Sequence, residues 1–495
     1  MTATAQSPPA HIKSVIWLTL LWATLCLAGG VFIIATGDGH LVRGARLSET
    51  AAEMILLLVS LVVTLCSDTL GFVHATSLRW ALYHERRLEY NTNFRLFTSA
   101  RATLANRWYM NLVSAASLVL AYSSSSALLL RGSYSSDADL AVNGMALVLL
   151  GLGGLGQTAT AALCWRRHET RIPSWSPNPL WNTVTCLKGS GLVEHRPGRC
   201  MQSVADRHKE AQPTRPRHSQ PRLWSIRATR WIVVAVWALS VVSFIWAGII
   251  IYIPTLMFSH NPFVFRWDTD PGDTYSNVIF GMDPSTNDPQ VDVTFPPGLQ
   301  FFLGILFLFF VQGLQAVGLH CIELLVNMSR DEDVWRSAVR PKGTSPYSTG
   351  PFLAALSSWR TVLLSALKVV QHWLLGQSMV PHYHLDEPGP YSQFTFNMSS
   401  SRLLVFACVS AVAALFTTLL ACWPVRGPQP AAWGHLQTLG DLIDEWNAPQ
   451  GRLWWGDKGE IDGVRHAGTA GSRHEVGRIH QDVLYAGREI FLDLQ

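Results

Sequence analysis

Charge is the first thing this chain lacks. Asp, Glu, Lys and Arg make up only 15% of its 495 residues, against roughly 25% in ordinary soluble domains. It also lacks a disulfide framework. Its cysteines, Cys26, Cys66, Cys164, Cys186, Cys200, Cys321, Cys408 and Cys422, all fall in apolar runs or in the segments read below as cytosolic, which excludes a cross-linked secreted scaffold. Catalytic signatures are missing too. There is no G-x-S-x-G elbow, no P-loop and no H-E-x-x-H, so an enzyme is not expected. His435, His466, His474 and His480, with Asp457, show no metal-ligand spacing; neither a metal nor a cofactor is expected. No nucleic-acid motif accompanies the basic stretches.

What the chain has is grease in blocks. Hydrophobic residues make up 48% and the mean hydropathy is +0.19. A helix needs about 20 apolar residues to cross a bilayer core. Eight runs qualify: Val15–Thr36, Ala51–Val73, Trp108–Leu130, Leu140–Leu163, Trp231–Ile253, Gly298–Val326, Thr361–Val380 and Arg402–Trp423. The seventh is the weakest, interrupted by Lys368, Gln371, His372 and Gln377. The first is too long for a signal peptide and lacks a small-x-small cleavage site, so it reads as a retained signal anchor. The expected fold is an all-α membrane protein, a polytopic bundle of about eight transmembrane helices with cytosolic loops and a small cytosolic tail.

Basic residues set the orientation. With a cytosolic amino terminus, 32 of the 38 Lys and Arg lie in cytosolic segments and four lie outside: Arg43, Arg46, Arg131 and Arg266. Lysine and arginine concentrate on the cytosolic side, so both termini are expected there, in the plasma membrane or an endomembrane. The chain divides into an N-terminal four-helix half (1–164), a basic Pro-rich linker (165–230), a C-terminal four-helix half (231–423) and a tail (424–495). Simple topology explains the basic linker, with anionic lipid as a second reading.

Smaller segments carry further expectations. His208–Arg222 has three prolines and little apolar content, as in disordered linkers. Ile172–Thr185 carries Trp175 and Trp181, which suit an interfacial stretch along the inner surface. Ser77–Tyr90 is compatible with helix. Cys164 and Cys422 stand at cytosolic helix ends, open to palmitoylation or simply unmodified. The outer loop Pro254–Pro297 is acidic without EF-hand spacing, hence solvated instead of calcium-binding. Asn397-Met-Ser is a glycosylation sequon if luminal, whereas Asn327-Met-Ser faces the cytosol. In the tail, Trp433, Leu436, Leu439, Ile443 and Trp446 recur at helical spacing with Asp441, Asp444 and Glu445 on the other faces. That pattern is an amphipathic helix; the rest of the tail is too Gly-rich for an independent core.

Gly151–Gly156 reads GLGGLG but lies inside an apolar helix, so it is a packing stripe and not a dinucleotide fingerprint. Gly71-Phe-Val-His74 and Gly318-Leu-His320 hint faintly at two related halves.

Ionisable groups inside apolar runs are costly and therefore candidates for function. Asp68 lies in the second run with His74 beyond it; the sixth carries Gln312, Gln315, His320 and Glu323. At 100° per residue Gln312 and Glu323 stand about 20° apart, so one polar stripe runs along that helix. Lys368, Gln371 and His372 share a face of the seventh. Asp68 or Glu323 is expected to pair with Lys368. Two functions follow. The first is a non-enzymatic scaffold whose Trp-, Asp- and Arg-rich cytosolic face, the 424–495 tail above all, docks a protein partner. The second is a proton- or ion-coupled transporter or channel using Asp68, Glu323 and Lys368.

Several segments together resemble a family of uncharacterised multi-pass membrane proteins of filamentous fungi. They are Ser77–Ala100, Gly318–Arg336, His372–Ser378, Trp433–Trp446, Leu453–Lys458, His466–Thr469 and Tyr485–Gly487, with IPSWSPNPL and Arg196–Val204 between. The resemblance implies fungal origin and an integral membrane location, and no mechanism. Gly376 stands where the family carries serine.

Overall fold

The computed structural model describes residues 10–36, 42–45, 48–131, 140–166, 172–189, 191–257, 265, 267, 276–278, 297–346, 351–384, 393–446, 451–461 and 464–486. Most of the acidic loop Pro254–Pro297 therefore lies outside the described residues.

Helices dominate. The first half contains α1 (Ala10–Thr36), α2 (Glu49–His84), α3 (Trp108–Ser126) and α4 (Gly144–Arg166). Beyond the short α5 (Pro179–Leu187), the second half contains α6 (Arg227–Met257) and α7 (Pro297–Arg336). The single-turn α8 (Pro351–Leu356), α9 (Trp359–Ser378) and α10 (Ser400–Cys422) complete it.

Eight runs are expected from sequence; among the described residues six helices are long and apolar enough to cross a membrane: α1, α2, α4, α6, α7 and α10. The other two, α3 and α9, fall short by composition. Ser123–Ser126 dilute one; Lys368, Gln371, His372 and Gln377 dilute the other. Their 19 and 20 residues still give rods of about 28–30 Å at 1.5 Å per residue. The six carry a belt of large apolar side chains facing outward, among them Leu18, Leu25, Phe32, Leu58, Trp231, Ile245, Phe310 and Leu415. Such a belt is far larger than soluble monomers expose. This is a membrane protein.

The helices pair in a repeated pattern. Along α1 lies α4, as α10 lies along α6. Across the halves, α2 packs on α9 and α7 packs on α3, while α3 and α9 meet in the middle. That is the pattern of a two-fold axis along the bundle.

At one end the loops build a six-stranded sheet that sequence reading did not anticipate. Its strands are β1 (Val42–Ala45), β2 (Leu129–Arg131), β3 (Leu140–Asn143), β5 (Ser276–Val278), β6 (Met379–His384) and β7 (Gln393–Met398), with β4 (Ser219–Gln220) elsewhere. The order is β1-β3-β2-β6-β7-β5. Three strands come from each half, and the central pair β2–β6 is parallel while the rest are antiparallel. The order reads the same from both edges under exchange of the halves. Asn397 lies on β7, opposite Val380 and Asn277.

Glycines set the helix spacing. A Cβ on Gly151 would stand 2.7 Å from the Ala23 carbonyl oxygen, and one on Gly153 would stand 2.9 Å from the Ala121 nitrogen. The GLGGLG stripe thus lets α4 touch the backbones of α1 and α3, the role small residues play between membrane helices. Gly71 and Gly318 do unlike things: the first admits the Arg95 side chain, the second faces Leu239.

At the other end the loops and tail fold into one polar body. Its strands are β8 (Val425–Arg426), β9 (Trp454–Ile461) and β10 (Val464–Ala470), with the helix α11 (Leu436–Leu442). Leu180, Cys200, Trp335, Leu439, Ile443, Trp455 and Tyr485 share its core. Several expectations change here. The Pro-rich stretch His208–Arg222 is ordered, because β4 pairs with β8 and Thr214 pairs with Tyr485. The tail owns no separate core but completes this shared one with a β-hairpin. Ile172–Thr185 lies within the body, not along a surface: Trp175 is buried, and Ser174 and Ser176 accept from Trp80 (2.7 Å) and Arg79 (3.1 Å). The helix over Ser77–Tyr90 stops at His84, where Arg86 takes a positive φ of 56°.

The amphipathic tail helix is shorter than its pattern. Trp433 and Gly434 both have positive φ, so the helix starts only after them, capped by His435, whose Nδ1 accepts from the Thr438 amide at 3.2 Å. Burial pushes that imidazole down to about 3, with Arg207 and Arg196 adding to the effect. Asp441 and Asp444, expected on wet faces, are buried and paired. Asp441 holds Arg196 (2.6 Å) and Arg199 (3.0 Å); Asp444 holds His466 (2.7 Å) and Lys458 (3.0 Å). Burial alone would raise the Asp444 carboxyl, yet His466 and Lys458 outweigh it and keep it below its ordinary range. Cys164 is wholly buried, which leaves no room for an acyl chain there.

Candidate functional site: a polar track between the halves

Asp68, Gln312, Gln315, His320, Glu323, Lys368 and His372, singled out from sequence, converge at the junction of α2, α3, α7 and α9. Opposite directions of α7 and α9 bring their polar faces into register. Gln312 meets His372, Gln315 meets Gln371, and Glu323 meets Lys368.

Lys368 is the centre. Its side chain is 1% exposed, and its ammonium donates to Asp68 Oδ1 at 2.7 Å and also to Glu323. Both carboxylates are engaged, where one partner was expected. Each keeps 27% of its side chain accessible, so the carboxylates are only partly covered while the ammonium between them is buried. Ser365 lies 3.4 Å from Asp68. Glu323 Oε1 is 2.7 Å from His320 Nδ1.

Asp68, His320 and Glu323 bring ligand atoms within 4.8 Å of one another, a spacing metals use. Here the Lys368 ammonium bonds both carboxylates, so the local cation is part of the chain.

From Lys368 the polar groups continue toward the sheet end. The His372 ring stacks on Tyr122 with centroids 3.5 Å apart. Tyr122 donates to Thr64 at 3.2 Å. Gln312 accepts from His372 Nδ1 (2.9 Å) and donates to Ser126 (2.8 Å). Next comes a cavity of about 20 Å³ lined by Glu53, Ser126, Gly376 and Gln377, room for one water. A Cβ on Gly376 would come 2.7 Å from Ser126 Oγ, so a serine there would crowd this cavity. Beyond it Arg402, fully buried, donates to Gln377 (2.7 Å), to Glu53 (2.6 Å) and to the Trp267 carbonyl (3.1 Å).

Toward the polar body the track ends on Arg95, whose Nη2 lies 3.3 Å from His320 Nδ1. His74 is buried nearby.

Sequence reasoning missed Arg95, Glu53, Arg402, Tyr122 and Ser126. Glu53 and Arg402 carried the same signal as Asp68, a charge at or inside an apolar run. Arg95 carried none, because it belongs to a loop.

An apolar groove of about 1190 Å³ also opens between α6 and α7, lined by Trp231, Leu239, Phe307 and Phe310. None of the track's side chains lines it.

No family model matches this chain, and no curated protein or solved structure is similar to it.

Proposed function

We propose that this protein is an eight-helix membrane transporter or channel that moves a proton or small cation along the track between its halves. The single observation carrying this is the Lys368 ammonium shared by Asp68 and Glu323 where α2, α7 and α9 from the two halves meet. In many transporters the coupling site lies at the interface of structural repeats near midplane. Buried charges within a bilayer are expensive, and those retained face the bundle interior and mark substrate or ion pathways. In this reading α3 and α9 also span, their polar faces shielded by the six apolar helices. Both termini are cytosolic, and the strand-rich end, which carries the Asn397 sequon, faces outward. The resemblance to fungal multi-pass proteins agrees with a membrane setting.

Protonation of Glu323 or Asp68 would release Lys368 from one partner and let it swing toward the other. Gln312 and Ser126 then offer donors and acceptors as far as the small cavity, and Gln377, Arg402 and Glu53 continue on its other side. The scaffold reading rested on Trp, Asp and Arg in the inner loops. Trp175, Trp335, Trp433, Trp455, Asp441, Asp444 and Arg199 are buried and satisfied within the body itself, so their abundance needs no outside partner.

The test is reconstitution into vesicles containing a pH-sensitive dye. An imposed potential should drive acidification, and Lys368→Met or Glu323→Gln should reduce the rate at least tenfold. Equal rates for these variants and the unaltered protein would end the proposal. Deleting 424–495 tests the scaffold: loss of co-purifying proteins with insertion intact would favour docking instead.

A further inference from the structure

We infer that Arg95 is the gate closing the cytosolic end of the polar track. This rests on the transport reading above and adds a residue that no membrane helix supplies.

Arg95 lies in the connection between α2 and α3, yet its guanidinium enters the bundle. Space for it is made by Gly71, where any Cβ would overlap the Arg95 guanidinium. Its contact, His320 Nδ1 at 3.3 Å, also touches Glu323. The charged groups facing one another here are Asp68 from α2, Glu323 from α7, Lys368 from α9 and Arg95 from the loop. Two carboxylates and two cationic side chains meet here. The site is electrically closed, and a cation arriving from the polar body meets a guanidinium first. Fixed arginines at pore constrictions impose barriers of this kind.

The loop holding Arg95 is latched from outside the bundle. The Asn91 amide donates to the Gly434 carbonyl at 2.8 Å, and the Leu436 amide donates to the Glu89 carbonyl at 2.9 Å. The Asn91 side chain donates to Asp331 at 3.0 Å and to the Pro177 carbonyl at 3.1 Å. Tyr90 packs edge-on against His435 at 5.0 Å. Between this latch and the Asn111 bond to the Thr98 carbonyl (2.6 Å), Phe94–Thr98 form a single turn with Arg95 on it. The arginine can therefore withdraw by rotation of that one turn while both flanks stay anchored.

The test reads accessibility, so it does not depend on flux. In a chain otherwise free of cysteine, Ser365→Cys places a thiol beside Asp68. A membrane-impermeant cationic thiol reagent is added to the cytosolic face of inside-out vesicles. With Arg95 present the labelling should be slow. Arg95→Ala should raise the rate at least tenfold, and Gly71→Val, which keeps the arginine but removes its space, should do the same. Arg95→Lys, which keeps the charge, should stay within threefold of the parent. The parent and all variants are compared only where they elute as the same monodisperse species, and Gly71→Val stands in if Arg95→Ala does not fold. Unchanged labelling in Arg95→Ala and Gly71→Val overturns the gate. If labelling responds but no Lys368-dependent flux exists, the transport reading fails while the closure at Arg95 stands.

Discussion

Removing the Lys368 amine should damage the fold far more than removing the whole charge cluster. In Lys368→Met, Asp68 and Glu323 lose the cation they share, leaving two carboxylates beside each other within the bundle. Breaking a buried ion pair by deleting one partner costs about 3–5 kcal/mol. The ammonium is 1% exposed and bonds both carboxylates, so the cost belongs in the upper part of that range. Replacing an entire buried ionic cluster by neutral groups of similar volume is often near neutral. The triple variant Asp68→Asn, Glu323→Gln, Lys368→Met should therefore recover most of the loss and lie within about 2 kcal/mol of the parent. Arg95, half-buried, can turn toward the polar body once Glu323 is neutral. The assay is unfolding by SDS titration in mixed micelles, followed by tryptophan fluorescence. A loss below about 1 kcal/mol in Lys368→Met, or a triple variant as unstable as the single one, would refute the reasoning.

Three further outcomes follow from the packing. Gly151→Ala should cost about 1–3 kcal/mol by overpacking, because its Cβ meets the Ala23 carbonyl and Leu27 amide, rigid backbone atoms of α1; SDS titration reads it. Asp441→Ala should loosen the tail by about 3–5 kcal/mol, since Arg199 is left buried without its carboxylate, and limited proteolysis at the 436–442 helix would rise accordingly. The third is a pH effect. The folded His435 titrates near 3 against an ordinary value of 6.5, so the unfolded chain binds the extra proton and stability falls as pH drops below that ordinary value. Between pH 7 and 5 the loss is about 2 kcal/mol by linkage. Asp444 acts in the same sense, but in stronger acid: its lowered folded value means that its contribution is lost only as pH falls through and below the usual carboxylate range. Hydrogen exchange of the tail at pH 7 and 5 should show this difference, and His435→Asn, which keeps a capping side chain, should remove it.

Much of the bundle was legible because lipid imposes a crude rule: a spanning helix must be long and apolar. The rule weakens where a helix is shielded by others. That is why α3 and α9 fall below it while lying at the centre. The polar stripe was readable for the same reason in reverse, since Asp68, Glu323 and Lys368 stand out against grease. The pairing of Lys368 with both carboxylates was not, because it depends on how three helices from two halves meet. The six-stranded sheet left no trace. Its strands are three to six residues long, too short for alternation to register, and its register joins loops far apart in sequence. The Pro-rich stretch was misread because composition speaks for a segment alone, whereas β8 and Tyr485 order it from outside. Asp441 and Asp444 obeyed helical spacing yet turned inward, since Arg199 and Lys458 wait there as partners.

Movement of a cation through the track at Lys368 displaces charge across the membrane. Its most direct measurement is charge displacement on a solid-supported membrane carrying the purified protein, triggered by a step in pH. The parent protein should give a transient current that disappears in Glu323→Gln and persists after Cys408→Ser on the exposed face of α10. A current of equal size in Glu323→Gln, or none in the parent at any pH step, would contradict it.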